Sequence, residues 1–280
     1  MKVVTIFNEK GGTGKTTLLS MFASWLAYEK KERVAVYDFD FPSYQLHNMR
    51  LLEEETLKRG APDLAKLCAG NEFYPIARVK GNYTGFTQKE LGTLVSQMKK
   101  VRDSYDGYLL LDFPGRFLRN DPSYAIMSAG LVDLVVFPVD TDRQSLSSAL
   151  NLVSILRGKP GAPFLEPGTK ENQDVLFVWN KENRAERRGN RDWYGEWDAF
   201  LEKMGIPVAG ARIRDILIAR RDFGTFGFIR STVCWPAQNI KRSAPYLEKI
   251  FEEMKARLDG QWNEKMKTAT YGDKDNEKDS

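Results

Sequence analysis

Short, strongly apolar runs alternate with longer stretches of helical spacing along most of the chain. Val, Leu, Ile and Phe dominate the runs, which is typical of strands buried on both faces of a parallel sheet. The predicted strands are 2–8, 33–40, 107–115, 131–140 and 174–181. Because helical stretches separate them, the pattern predicts parallel β-α-β units. The expected fold is α/β, a doubly wound, mostly parallel sheet with helices on both faces.

The stretches between the strands predict helices of ordinary length, with apolar residues every three to four positions. The predicted helices are 16–28, 87–104, 121–130, 143–157, 193–204 and 244–267. Residues 42–86 carry several turn signals and predict two short helices with irregular links, and 206–213 is strand-like. We expect a single domain over 1–267. A disordered polar tail is expected at 268–280, because it has almost nothing to bury.

Bulk composition excludes several classes of protein. A hydrophobic content of 42% and a charged content of 29% are ordinary for a soluble globular protein. No apolar run reaches the roughly 18 residues of a membrane span, and no secretory signal is seen, so a cytoplasmic protein is expected. Cys68 and Cys234 form no CxxC pair, and His47 is the single histidine. A zinc site, an iron–sulfur cluster and a Ser-His-Asp hydrolase are therefore disfavoured.

A glycine-rich loop follows the first predicted strand and precedes the first predicted helix. Its sequence, residues 10–17, is K-G-G-T-G-K-T-T. Gly11, Gly12 and Gly14 allow a tight turn that brings backbone N–H groups onto phosphate oxygens. The helix N-terminus adds a positive dipole end. A strand, such a loop and a helix in this order predict a phosphate-binding loop.

The side chains of this loop suggest roles in binding a nucleotide with Mg²⁺. Lys15 can reach the β and γ phosphates, the Thr16 hydroxyl can ligate Mg²⁺, and Thr17 can bond the α-phosphate. Thr13 lies between the glycines and belongs to the same nucleotide-binding loop. The ordinary G-x-x-x-x-G-K-[ST] pattern is not met, because Glu9 stands at its first glycine and an additional lysine stands at position 10.

The loop closely resembles the deviant Walker A motif of the ParA/MinD/Soj family of P-loop ATPases. The resemblance implies ATP and Mg²⁺ as cofactors and a homodimer that forms with ATP. Lys10 would be the family's signature lysine, which crosses to the partner subunit and touches the phosphates there. A cation arriving from the partner would stabilise the charge of the transferring phosphoryl group.

Two aspartates end the second strand, in the run Asp38-Phe39-Asp40-Phe41-Pro42. The family's switch I is similar to D-x-D-P-Q, and here Phe41 is inserted before the proline. The resemblance implies that Asp40 orients or deprotonates the attacking water and that Asp38 helps to hold the Mg²⁺ shell. An alternative stays open, in which one of the pair caps a following helix near Ser43.

A lone aspartate, Asp112, ends the strand of run 107–115, as in a Walker B strand. We expect it to bind Mg²⁺, mostly through water. Gly115 would offer its N–H to the γ-phosphate. Asn180 ends strand 174–180, where relatives bind the adenine edge, with turn initiation as the competing interpretation. Asp140 resembles a family loop residue but fits a helix N-cap equally well.

The nucleotide site does not identify what the ATPase moves, and two outputs stay open. The resemblance is strongest to ParA-like partition proteins, including those of Bacteroides-type mobile elements. It implies slow ATP hydrolysis stimulated by a ParB-like partner, non-specific DNA binding and nucleoid association in the ATP state. The candidate DNA contacts are Arg212, Arg214, Arg220, Arg221, Arg230, Lys241 and Arg242. The alternative is a MinD-like ATPase that positions a cargo at a membrane or another surface.

Overall fold

The apolar runs lie side by side in one parallel sheet. We describe a computed structural model of the chain over residues 1–157, 174–182, 193–213, 231–235 and 246–271. The strands are β1 (Lys2–Ile6), β2 (Val34–Asp38), β3 (Ile76–Arg78), β4 (Tyr108–Asp112), β5 (Leu134–Val139) and β6 (Asp174–Trp179). Their order across the sheet is β3-β2-β4-β1-β5-β6, and each neighbouring pair is parallel.

Helices cover both faces of this sheet, which confirms the doubly wound α/β fold. They are α1 (Lys15–Ser24), α2 (Gln45–Lys58), α3 (Pro62–Cys68), α4 (Gln88–Ser104), α5 (Pro122–Ser128), α6 (Arg143–Leu156), α7 (Trp193–Lys203), α8 (Leu247–Leu258) and α9 (Glu264–Tyr271). A π-helical turn, Trp25–Glu29, extends α1. One buried cluster packs α1 and α8 against the sheet, and a second packs α4 to α7 against the opposite face.

The strand order decides where a ligand can bind. β1 is central, and the strands that end in Asp38 and Asp112 lie together on one side of it. Because all strands are parallel, their carboxyl ends meet at one edge of the sheet, where ligands of doubly wound folds bind. The loop after β1 therefore lies beside both carboxylates.

Several details differ from the sequence-based predictions. β3 lies in a segment that was predicted to be an irregular link. This short edge strand was missed because its side chains are largely exposed, so the segment contains no apolar run. The long helix predicted over 244–267 ends at Leu258, where Gly260 adopts φ +70°. Residues 206–213 hydrogen-bond to β6 but form only one isolated bridge. Residues 268–271 lie in α9, and 272–280 lie outside the described residues.

A buried polar network ties α2 to the segment 231–235. The Arg50 guanidinium donates from Nε to Thr232 Oγ1 at 2.9 Å and from Nη1 to the carbonyl of Tyr74 at 2.8 Å. The Glu53 carboxylate accepts the backbone N–H of Thr232 at 2.9 Å. Both charged side chains are buried, so each depends on these partners for its stability in the interior.

We expect Arg50→Ala to destabilise the fold strongly. The substitution leaves the carbonyls of Tyr74 and Thr232 without this donor and removes a cation that acts on buried Glu53, so the free energy of unfolding should fall by about 3 kcal/mol. Arg59→Ala is the matched control, since the Arg59 side chain is 76% exposed and pairs with exposed Glu55. The control should shift stability by less than about 0.5 kcal/mol. Equal urea midpoints for the two variants would contradict a structural role for Arg50.

Candidate functional site

The loop between β1 and α1, which we call the cradle, carries two left-handed glycines just before the first turn of α1. Gly12 and Gly14 have φ of +74° and +90°, a left-handed conformation that glycine adopts without strain. Gly14 is also the N-cap of α1, and it has no side chain with which to cap this helix. The N–H groups of the first turn are thus not capped by the N-cap residue, as an anion site at a helix N-terminus requires.

Two glycines of this edge leave little room for a side chain. A Cβ on Gly14 would lie 2.5 Å from Asn180 Nδ2. A Cβ on Gly115, in the loop after β4, would lie 3.0 Å from the carbonyl oxygen of Glu9 and 3.1 Å from Lys15 Nζ. Gly115 therefore lies against the cradle, which fits its predicted contact with the γ-phosphate. Gly11 faces open space.

Lys15 lies at the centre of the cradle, between the cradle backbone and the carboxylates. Its ammonium donates to the carbonyl of Lys10 at 3.2 Å. Burial lowers the pKa of Lys15, while Asp112 and then Asp40 oppose this shift. Burial also raises the pKa of Asp40, helped by neighbouring Asp38 and opposed by Lys15. Lys15, Asp40 and Asp112 thus interact electrostatically, as their predicted roles require.

The predicted Mg²⁺ ligands Thr16 and Asp112 are adjacent. Thr16 Oγ1 donates to Asp112 Oδ1 at 3.2 Å, across 96 residues of sequence. A hydroxyl and a carboxylate at the edge of a phosphate cradle are the oxygen donors that Mg²⁺ takes, together with water and phosphate oxygens. The residues present therefore fit Mg²⁺ with a nucleotide phosphate. Thr17 follows in the first turn of α1, and Thr13 is buried in the loop.

Asp38 reaches the same edge, where its Cα pairs with that of Asp112. Its two carboxylate oxygens accept backbone N–H groups, from Asp40 at 3.0 Å and from His47 at 3.1 Å. Burial raises its pKa, and these hydrogen bonds oppose the shift. These contacts fix the carboxylate at the start of α2, and the Mg²⁺ role of Asp38 stays a prediction. The contacts resemble the helix-capping alternative that the sequence left open.

Lys10 contacts the N-terminal turn of α6. Its ammonium lies 3.2 Å from Asp142 Oδ2 and donates to Gln144 Oε1 at 2.7 Å. Asp142 is the N-cap of α6 and accepts the N–H of Gln144, a bond that lowers the pKa of Asp142 together with the Lys10 contact. Asp140, for which the sequence allowed this capping role, instead accepts the N–H of Asp142 at 3.2 Å.

Lys181 contacts the loop between β1 and α1, and the sequence predictions missed this residue. Asn180 donates from Nδ2 to the carbonyl of Thr13 at 2.7 Å, and the Lys181 ammonium donates to the carbonyl of Gly12. The end of β6 therefore holds the phosphate loop from the side opposite to the carboxylates. The signal was a lysine directly after the strand-ending asparagine. The predicted adenine contact of Asn180 stays a prediction.

The model of one protein family matches residues 4–259, and its description is "CobQ/CobB/MinD/ParA nucleotide binding domain". The chain belongs to this family. No curated protein matches the chain. Membership accounts for the nucleotide-type loop and for the resemblance to ParA and MinD that the sequence predicted.

Solved structures share the fold of this family member at low sequence identity. Apo McdA of Cyanothece is 20% identical with a TM-score of 0.58, over 92% of this chain and 99% of that one. A protein of Borrelia burgdorferi B31 described as a plasmid partition protein, bound to AMPPNP, is 15% identical with a TM-score of 0.55, over 93% and 99%. MinD of Pyrococcus horikoshii OT3 with Mg-ADP is 19% identical with a TM-score of 0.53, over 92% and 97%.

The basic residues predicted to contact DNA lie mostly outside the described residues of this family member. These are Arg214, Arg220, Arg221, Arg230, Lys241 and Arg242. Arg212 is described, and its side chain is 28% exposed. Its guanidinium lies 3.0 Å from Asp198 and 3.6 Å from Glu182. The DNA contact of Arg212 stays a prediction.

Proposed function

We propose that this chain is an ATPase switch of the ParA type, which dimerises with ATP and Mg²⁺ and hydrolyses ATP slowly. The observation that carries the proposal is the cradle with its two lysines. The Lys15 ammonium lies inside the cradle near carboxylates, whereas the Lys10 ammonium contacts the N-terminal turn of α6. A loop with one inward and one outward cation can serve its own nucleotide and that of a second copy.

Each residue then has a defined task in hydrolysis. The cradle amides and Lys15 hold the β and γ phosphates in line for attack. Asp40 lies close enough to Lys15 for a mutual electrostatic effect and holds the attacking water. Mg²⁺ supplies charge neutralisation of the phosphate oxygens when bound at Thr16 and Asp112. Lys10 of a second copy completes the charge stabilisation, which makes hydrolysis depend on dimerisation.

We propose DNA as the surface on which the dimer acts, with a ParB-like partner that stimulates hydrolysis. The net charge of +4 and the basic residues between 214 and 242 support it, since phosphate contacts need only clustered cations. Dimerisation would double the number of such contacts and so couple DNA affinity to ATP. This is the basis for a role in the partition or positioning of a DNA element.

The MinD-like alternative has less support. Within the described residues, no helix combines the length and apolar character that a membrane crossing requires. A peripheral helix would need an apolar face free to enter lipid. In α8 that face, with Ile250, Phe251 and Met254, is buried against the sheet and α1.

Oligomeric state tests the proposal most directly. Light scattering after gel filtration should show a monomer with Mg-ADP and a dimer with Mg²⁺ and a non-hydrolysable ATP analogue. A gel shift on arbitrary duplex DNA should show retardation with the analogue only, and less of it as salt rises. A monomer under both conditions would refute the switch. A dimer that binds liposomes but not DNA would favour the MinD-like alternative.

A further inference from the structure

Phe41, the residue that departs from the family pattern, packs against Tyr44 and Tyr83. We call the rings of these three residues the aromatic clasp. The ring of Phe41 lies edge-on to Tyr83, with centroids 4.6 Å apart, and to Tyr44, with centroids 5.8 Å apart. Gly81 lies under Phe41, and a Cβ there would overlap the Phe41 ring. The clasp therefore needs a glycine at position 81.

Tyr44 anchors the clasp to the loop after β3. Its hydroxyl donates to the carbonyl of Val79 at 2.9 Å and accepts the N–H of Gly81 at 3.2 Å. The Arg78 guanidinium lies over its ring, 5.5 Å from the centroid. Tyr44 has φ +41°, a conformation that costs a non-glycine residue energy and persists only where several contacts hold it. The loop after β3 provides those contacts.

The clasp lies next to Asp40 in the sequence and holds the loop on both sides of it. On one side Asp40 donates its N–H to Asp38 Oδ1 at 3.0 Å, and on the other Tyr44 donates its N–H to the carbonyl of Asp40 at 2.7 Å. The neighbouring residue Phe39 packs its ring against that of Phe113 in a tilted arrangement, with centroids 4.8 Å apart. These contacts hold the loop on both sides of Asp40. The clasp is the part of this arrangement that is most exposed to solvent, since Tyr83 is 83% exposed.

We propose that Phe41 is a positioning residue for Asp40, and that the aromatic clasp sets the rate of hydrolysis without contributing to nucleotide binding. The proposal rests on the ATPase function proposed above. The exposed ring of Tyr83 contacts the Phe41 ring edge-on, and this contact restricts the direction of the Phe41 side chain. A carboxylate displaced by about 1 Å from a reacting water can cost about 100-fold in rate.

Two substitutions release the clasp by different routes. Tyr83→Ala removes the outer ring, and Gly81→Ala forces the Phe41 ring to move. Each should lower kcat by about 10- to 100-fold and change the dissociation constant for ATP by less than about 3-fold. Tyr83→Phe keeps the ring and should keep the wild-type rate. In a Phe41→Gly background, Gly81→Ala should have a smaller effect, because both the Cβ and the ring of Phe41 that it would overlap are gone.

The matched controls are Tyr105→Ala and Gly92→Ala. Tyr105 is 54% exposed at the end of α4, and a Cβ on Gly92 meets no atom within 4 Å. Amide hydrogen exchange of residues 39–47 is a readout that does not depend on hydrolysis. It should be about 10-fold faster in Tyr83→Ala and Gly81→Ala than in the controls.

The outcomes separate this proposal from the ATPase function. A wild-type protein that does not hydrolyse ATP defeats the ATPase function, and exchange alone then decides whether the clasp holds the loop. Unchanged exchange in Tyr83→Ala overturns the clasp, and because Tyr83 is a surface residue, this variant stays informative if Gly81→Ala fails to fold. Faster exchange with an unchanged kcat in an active protein overturns the positioning role of Phe41.

Discussion

Lys15→Ala is expected to weaken ATP binding by about 100-fold, equivalent to about 2.7 kcal/mol. Lys15 is the cation inside the cradle, beside Asp40 and Asp112, and its ammonium needs only to exchange the carbonyl of Lys10 for a phosphate oxygen. Charge-assisted bonds to phosphate are among the strongest in proteins. Calorimetric titration with Mg²⁺ and a non-hydrolysable ATP analogue measures the loss.

The same variant should unfold no more easily than the wild type in the absence of nucleotide. Burial lowers the pKa of Lys15, which means that the fold disfavours its charged form before a phosphate arrives. Lys99→Ala on the exposed side of α4 is the control and should alter neither property. Wild-type affinity in the Lys15→Ala variant would show that the cradle is not the nucleotide site.

Lys10→Ala should keep most of its ATP affinity and lose hydrolysis by about 1,000-fold, the effect of removing a cation supplied by a partner. The physical reason is that Lys10 Nζ contacts Asp142 and Gln144 at the N-terminal turn of α6 and does not lie inside its own cradle. Single-turnover hydrolysis and a nucleotide titration on the same preparation separate the two effects.

A mixing experiment distinguishes a lysine that acts on the partner from one that acts on its own subunit. In a mixed dimer of Lys10→Ala with Asp40→Ala, one site combines an intact Asp40 with an intact Lys10 from the other subunit. Activity should therefore reappear when two inactive proteins are mixed. If the mixture stays inactive although mixed dimers form, Lys10 does not act across the dimer.

The sheet was predictable because its inner strands are apolar on both faces. Leu109, Leu110 and Leu111 of β4 are fully buried, and a run of this kind ending in a single aspartate leaves few other interpretations. Edge strand β3 lacked that signal, since two of its three side chains are exposed. The break between α8 and α9 occurs at the left-handed Gly260. It was not predicted because the apolar residues on both sides of it keep helical spacing.

The candidate site was predictable where its residues are consecutive, as in 10–17. Contacts between distant segments were not, because nothing in the order of residues reports them. Lys181 meets Gly12 across 169 residues, and Lys10 meets Gln144 across 134. The hydrogen bonds of Asp38 were missed for the same reason, since the N–H groups that it accepts belong to a loop and a helix whose geometry follows from packing.

The resting contact of Lys10 has a consequence for the timing of the cycle. Both members of the Lys10–Asp142 pair are partly open to solvent, with side chains 35% and 44% exposed, so water and salt screen their attraction. Detaching the lysine therefore demands little free energy. In the proposed cycle, the slow event is then the encounter of two nucleotide-loaded subunits, and Lys10 would follow as soon as a phosphate of the partner comes within reach.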